Sequence, residues 1–362
     1  MGGKVEKNKE NRRISVVELL RFIACFFIIW YHSPYIRYQD NFSVFHFTGS
    51  FLFVEVFFML TGYFTVKHFA NKKYEEKSFN EQCKEAAKYT WNKFKVFLPY
   101  TILAVLLMYL VKMFYLDFGS LRELLGFLKK IVLELTLLNT QGGGMLGLTW
   151  YLASIMVIYP IFCTFCQSKY KLFLFFLIIP FCLTYYLGFS AFNSIEPTTL
   201  LRSLAGLSMG AIVYALSEFI KRFNFRKVWI VALSILELLC FAISLVFLWT
   251  NDRPLVYEDR FYSFNIIFFF MLMLSLLLSE KTIQSKIRFW PFDFLGKLSL
   301  CFYLFHQIVN EVIILYLNDY LPTTTKMIIL YVGTFIVSIS IYSMVELAKI
   351  RLPSARKIFL KD

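Results

Sequence analysis

The first apolar segment of the sequence, ISVVELLRFIACFFIIWYH, carries Glu18, Arg21 and His32. At 100° per residue, spacings of three and eleven residues return to nearly one direction, so all three share a helical face. Along that face Arg21 and His32 stand about 16 Å apart. Two uses fit this pattern. Glu18 and Arg21 can close the helix end as an ion pair, with His32 an interfacial residue. Alternatively the three form a working set, the guanidinium holding an anion and the imidazole exchanging a proton near neutral pH.

The second segment, FLFVEVFFMLTGYF, places Glu55 among phenylalanines and valines. A carboxylate there requires a cationic or hydrogen-bonding partner, and the first segment, a short loop away, offers both a histidine and an arginine. Thr61 and Gly62 allow close helix approach. Farther along, LLRSLAGLSMGAIV sets Arg202 at the outer end of a segment lined by Ser203, Gly206 and Gly210. The glycines read as a packing face, and the arginine either snorkels to the surface or turns inward. LGKLSLCFYLFHQ brings Ser299, Tyr303 and His306 onto one face by spacings of four and three. Of four histidines, His32 and His306 lie within apolar segments while His46 and His68 fall near segment ends, a distribution that favours acid/base chemistry.

These side chains need long helices in lipid to position them. Hydrophobic residues make up 58% of the 362 and charged residues 17%, too apolar for a soluble chain of this length. The apolar residues fall in blocks of about twenty, the length that crosses roughly 30 Å of hydrocarbon. The blocks predict an all-α, polytopic transmembrane bundle of about ten helices, near 14–36, 49–69, 96–116, 146–167, 171–191, 200–220, 228–249, 262–280, 294–317 and 326–347. Residues 120–139 are apolar but carry Lys129 and Lys130 at their centre, at a cost of about 2.5 to 3.5 kcal/mol each in mid-membrane, so they are expected to lie along the interface.

Charge supports that count. Basic residues concentrate at the N-terminus, at 72–95, at 169–171, 221–227 and 281–288, and in the tail from Lys349 to Lys361, whereas loops such as NSIEPTT and NDYLPTT are acidic or neutral. By the positive-inside rule both termini are cytoplasmic, and the net charge of +14 reflects topology rather than nucleic-acid binding. The domain scheme is a cytoplasmic tail over 1–13, a membrane domain over 14–347 and a basic cytoplasmic tail over 348–362. The hydrophilic start and the absence of a small-residue cleavage site after the first block predict that the block stays as a helix. The connection from Ala70 to Lys95 is expected to be a surface helix. Cys163 and Cys166 form a C-x-x-C inside an apolar helix, with packing weighed above redox or metal chemistry.

At these same residues the chain resembles the acyltransferase-3 family of integral membrane enzymes that O-acylate carbohydrates. The family's first helix holds an arginine, ten residues and a histidine, matched by Arg21 and His32, with Glu18 as the preceding acidic residue. VEVFFMLTGYF is similar to its acidic-x-F-F-x-x-S/T-G-F/Y segment, GLTWYLAS to its W-Y-L stretch around Trp150, and LGKLSLCFYLFH to its G-x-x-S-x-x-x-Y-L-x-H. The motifs occur in order across nearly the whole chain. Where members often have an arginine three residues before the proline of the third helix, KVFLPY has Val96, which leaves that role to Lys95 or to another group. Ala153 and Ser154 stand where longer members have glutamate.

The resemblance implies an acyl-CoA donor, acetyl-CoA in the simplest case, as a co-substrate with no tightly bound cofactor, and a cell-surface or lipid-linked glycan as acceptor, in the cytoplasmic membrane of a bacterium. It implies His32 as the base with Glu55 orienting its imidazole. Arg21, Glu18 and Lys95 fall to the donor, and Arg202, Trp150, Tyr303, His306 and Ser299 to the acceptor side. The rival expectation from another class is a polysaccharide-export component or proton-coupled transporter, since buried Arg, Glu and His in a helix bundle serve that chemistry too. A membrane scaffold accounts for the helices but not for the order of the motifs.

Overall fold

The computed structural model describes residues 14–33, 47–70, 72–116, 119–139, 144–169, 171–185, 198–250, 260–317 and 320–351. The expectations for the tails, for His46 and for the loop around Asp252 lie outside the described residues. Eleven α-helices make up most of the rest: α1 (Ser15–His32), α2 (Phe53–Phe69), α3 (Phe79–Met113), α4 (Leu121–Leu135), α5 (Thr149–Gln167), α6 (Lys171–Thr184), α7 (Thr198–Lys221), α8 (Lys227–Thr250), α9 (Arg260–Leu278), α10 (Trp290–Val312) and α11 (Thr323–Arg351). No strand occurs among the described residues. The protein is an all-α polytopic bundle, and eight of the described helices are long and apolar enough to cross a membrane. The segments expected to cross at 171–191 and 262–280 overlap α6 and α9, which are not among those eight.

One boundary differs from expectation. The charged stretch before the third crossing does not form a separate surface helix but runs straight into it as α3, 35 residues long. Ser78 starts this helix with a capping box, its hydroxyl accepting from Glu81 N while its own N–H donates to the Glu81 carboxylate at 2.8 Å. At about 1.5 Å per residue α3 exceeds a bilayer's hydrocarbon thickness, so its first half extends beyond the apolar part of the bundle.

Side-chain ties show which helix ends share a face. On the face where α1 begins, Phe289 N donates to Ser15 Oγ at 3.2 Å. On the same face Gln82 and Gln167 each donate to the other's backbone carbonyl, at 3.3 and 3.1 Å, and Lys221 lies 3.7 Å from Glu280. On the opposite face Arg202 pairs with Glu55, and Lys112 with Glu311 at 2.5 Å. Helix α4 stays on that second face with only Phe127 and Glu134 buried among its residues.

Central α2 is buried along most of its length, while α8 and α11 turn most of their side chains outward, as lipid-facing helices do. The tightest packing joins α2 to α7. A Cβ on Gly62 would collide with the backbone carbonyl of Leu207, and one on Gly206 with Phe58 and, at 3.0 Å, with Glu55 Oε2. Two backbones this close require glycine at both contacts, and the contact places the start of α7 against the start of α2. Cys163 and Cys166 are buried and unbridged.

Candidate active site

The polar face of α1 packs on α10. Arg21 Nη1 donates to Glu18 Oε2 at 2.8 Å, and Gly296 of α10 makes room for this pair, since a Cβ there would overlap the Glu18 side chain. The ion pair among the two expected arrangements is therefore present, but it does not seal the helix end. Glu18 and Arg21 line a cavity of about 220 Å³ between α1, α2, α3, α5 and α10, with Arg21 about one-third exposed. Lys93 joins them in its wall, while Lys95, the lysine expected near the donor, lies over the Trp91 ring at 6.0 Å and does not line the cavity. The two lysines are two residues apart on α3 and so point about 200° apart.

Deeper in, the cavity wall includes Thr61, Tyr151, Ser299 and Tyr303. The Ser299 hydroxyl donates to Gly296 O at 2.8 Å and its carbonyl accepts from Cys25 Sγ at 3.1 Å, so this side chain is held to its own helix. Tyr303 donates to Leu148 O at 3.2 Å, and its ring lies 6.2 Å from that of Tyr151 and 6.1 Å from that of His306.

One turn beyond Tyr303, the rings of His306 and His32 stand 5.5 Å apart. His306 is fully buried, and its Nδ1 lies 2.6 Å from Tyr303 O. A carbonyl oxygen only accepts, so Nδ1 carries the proton and a neutral ring keeps its lone pair on Nε2. Among the described residues that Nε2 has no hydrogen-bond partner. Asn310, the next residue of this face of α10, donates to the His32 carbonyl at 3.5 Å.

Glu55 has an arginine of α7 as its ion partner: Arg202 Nε lies 2.5 Å from Glu55 Oε1, and Arg202 Nη2 donates to Phe51 O at 3.1 Å. The guanidinium lies over the rings of Trp150, at 5.3 Å, and Phe51, at 5.6 Å. Arg202 thus turns inward instead of snorkelling, and Trp150 meets it there. The structure brings the site residues into two groups, Glu18, Arg21, Ser299 and Tyr303 around the cavity with His306 and His32 beyond it, and Glu55, Arg202 and Trp150 across α2, α5 and α7.

Glu134 was not among the expected site residues. It is fully buried on α4, where it accepts from the N–H groups of Leu146 and Gly147 at 3.4 and 3.2 Å and from Thr149 Oγ at 3.2 Å. It fixes the segment whose next residues are Leu148, the acceptor for Tyr303, and Trp150. The signal was present in the sequence, for Phe127 and Glu134 are seven residues apart and share the inward face of an amphipathic helix. Lys93 had no comparable signal, because only the packing of α3 on α5 and α10 decides which of its faces meets the cavity.

A family model described as an acyltransferase domain matches residues 14–343. No curated protein and no solved structure matches the chain. The matched span holds all eleven helices up to the last turns of α11 and every residue around the cavity and the histidine pair, and on that ground the chain belongs to the acyltransferase-3 family, as a multi-pass membrane acyltransferase.

Proposed function

We propose that the protein moves an acyl group, acetyl in the simplest case, from acyl-CoA to a hydroxyl of a cell-surface or lipid-linked carbohydrate. The chain crosses a bacterial cytoplasmic membrane ten times with both termini in the cytoplasm, so the basic face is the donor side. The observation that carries this reading is the cavity that connects a mouth bearing Arg21 and Lys93 to Tyr303, one turn from the His306–His32 pair.

Cationic groups at the mouth suit the phosphates or pantetheine oxygens of the donor, and an apolar wall suits its arm. The roughly 16 Å between Arg21 and His32 along α1 is comparable to the reach of a pantetheine chain. His32 takes the proton from the acceptor hydroxyl, whose oxygen attacks the thioester carbonyl. The C–S bond breaks, the acyl group passes to oxygen, and the proton returns to the departing thiolate. Glu55, paired with Arg202, serves to hold that arginine and Trp150 as a fixed polar and aromatic wall for the acceptor.

Membranes containing the protein, given acetyl-CoA labelled in the acetyl group, are expected to yield labelled glycan that releases acetate on mild base treatment. Label that stays in acetyl-CoA, together with proton-driven movement of an intact solute, would replace this reading with the transporter.

A further inference from the structure

The basic face holds a second cavity, of about 440 Å³, between the α7–α8 turn and the segment after α9. Three lysines line it, Lys221, Lys281 and Lys286, with Glu280 as the one acidic residue and Phe225 and Ile230 as apolar wall. Lys221 is paired, with Glu218 at 2.7 Å and Glu280 at 3.7 Å, whereas Lys281 and Lys286 have no acidic partner among the described residues. The segment carrying them is held in place. Glu280 takes the left-handed region at φ 60°, a conformation that costs a non-glycine residue energy, and Lys281 N donates to Ser279 Oγ at 3.2 Å. Ile283 N donates to Ser234 Oγ of α8 at 2.9 Å.

We propose that this cavity binds the phosphate of an anionic phospholipid headgroup. Two lysines without a carboxylate partner supply the charge, and the neighbouring helix supplies the reason for a lipid rather than a soluble anion. Beyond the lining residue Ile230, α8 exposes Val228, Trp229, Val231 and Ile235, with Trp229 60% exposed within a turn of the cavity. A phosphate in the cavity can therefore leave its acyl chains along an apolar helix surface, with an indole at the headgroup level where such rings settle. The proposal is independent of the acyl-transfer reading, and it concerns residues placed neither at the first cavity nor at the histidine pair.

The full-length protein in detergent, titrated with phosphatidylglycerol and with phosphatidylcholine and observed by native mass spectrometry, is expected to keep phosphatidylglycerol preferentially. The double variant Lys281→Gln/Lys286→Gln should weaken that binding by roughly ten- to thirtyfold, at about a factor of several per lysine. Lys286 is exposed and Lys281 half-buried, and an unchanged melting temperature in lipid-free detergent shows that the variant is folded. Lys169→Gln, a basic residue away from the cavity, is expected to leave lipid retention unchanged. Millimolar inorganic phosphate should not displace the lipid. Equal retention of the two lipids, an undiminished affinity in the folded double variant, or full displacement by inorganic phosphate would each overturn the proposal, the last in favour of a soluble phosphate ligand.

Discussion

Arg202 Nε and Glu55 Oε1 lie 2.5 Å apart, although 147 residues separate them in the chain. They meet because Gly206 and Gly62 let α7 and α2 approach backbone to backbone, and the glutamate is 1% exposed at that contact. Breaking one partner leaves a charge buried without compensation, which costs about 3 to 5 kcal/mol, whereas removing both charges together avoids most of that penalty. Glu55→Ala and Arg202→Ala are each expected to lower the thermal midpoint of the purified protein strongly, and Glu55→Gln/Arg202→Met to lower it less than either. Additive losses in the double variant would show that the two groups act separately.

The mouth of the cavity distinguishes two lysines. Arg21→Ala and Lys93→Ala are expected to raise the apparent KM for acyl-CoA by about 10- to 100-fold, the loss of a charge-assisted contact of about 1.5 to 3 kcal/mol. Lys95→Ala, which leaves the cavity wall intact, is expected to change it little. Initial rates at varied donor concentration check this, and equal effects at 93 and 95 would place the donor phosphates outside the cavity mouth.

His32→Ala is expected to reduce acyl transfer by roughly a hundred- to ten-thousandfold while the protein still reaches the membrane, the usual cost of losing a general base. His46→Ala should retain activity. His306→Ala should show a smaller defect, since its Nδ1 is committed to Tyr303 O and the ring supports the neighbouring imidazole. Activity surviving in His32→Ala but lost in His306→Ala would move the base to α10.

Glu134→Ala should free the amides of Leu146 and Gly147 and loosen the segment that leads to Trp150. Hydrogen exchange over residues 144–149 is expected to quicken, with stability falling by about 1 to 3 kcal/mol for the hydrogen bonds lost. Glu134→Gln, which keeps one acceptor oxygen, should recover part of the protection. Unchanged exchange in Glu134→Ala would mean the segment is held by its other contacts.

Topology offers a test that needs no activity. Single cysteines substituted at Lys77 and Asp252 are expected to be labelled from opposite sides of the membrane, with Lys77 on the cytoplasmic side. Labelling of both from one side would end the ten-crossing order.

What the sequence determined by itself was the solvent and the order of the helices. A run of about twenty apolar residues has few options other than spanning lipid, because each backbone amide must find its partner within the helix. The same local rule put Glu18, Arg21 and His32 on one face, and Ser299, Tyr303 and His306 on another, since a helical face depends only on spacing. Local rules stop at the choice of neighbour. The sequence asks for a cation beside Glu55 without saying which helix supplies it, and the glycine contacts between α2 and α7 bring Arg202 there. Lys93 rather than Lys95 lines the cavity because α3 continues unbroken from Phe79 and packs with one face on α5 and α10. Spacing puts Glu134 on the inward face of α4 beside Phe127, but only the packing of α4 shows that it accepts from the amides ahead of α5. Each of these depends on contacts between helices distant in the chain, where close approach and the need to pair buried charges select among partners that spacing along one helix cannot distinguish.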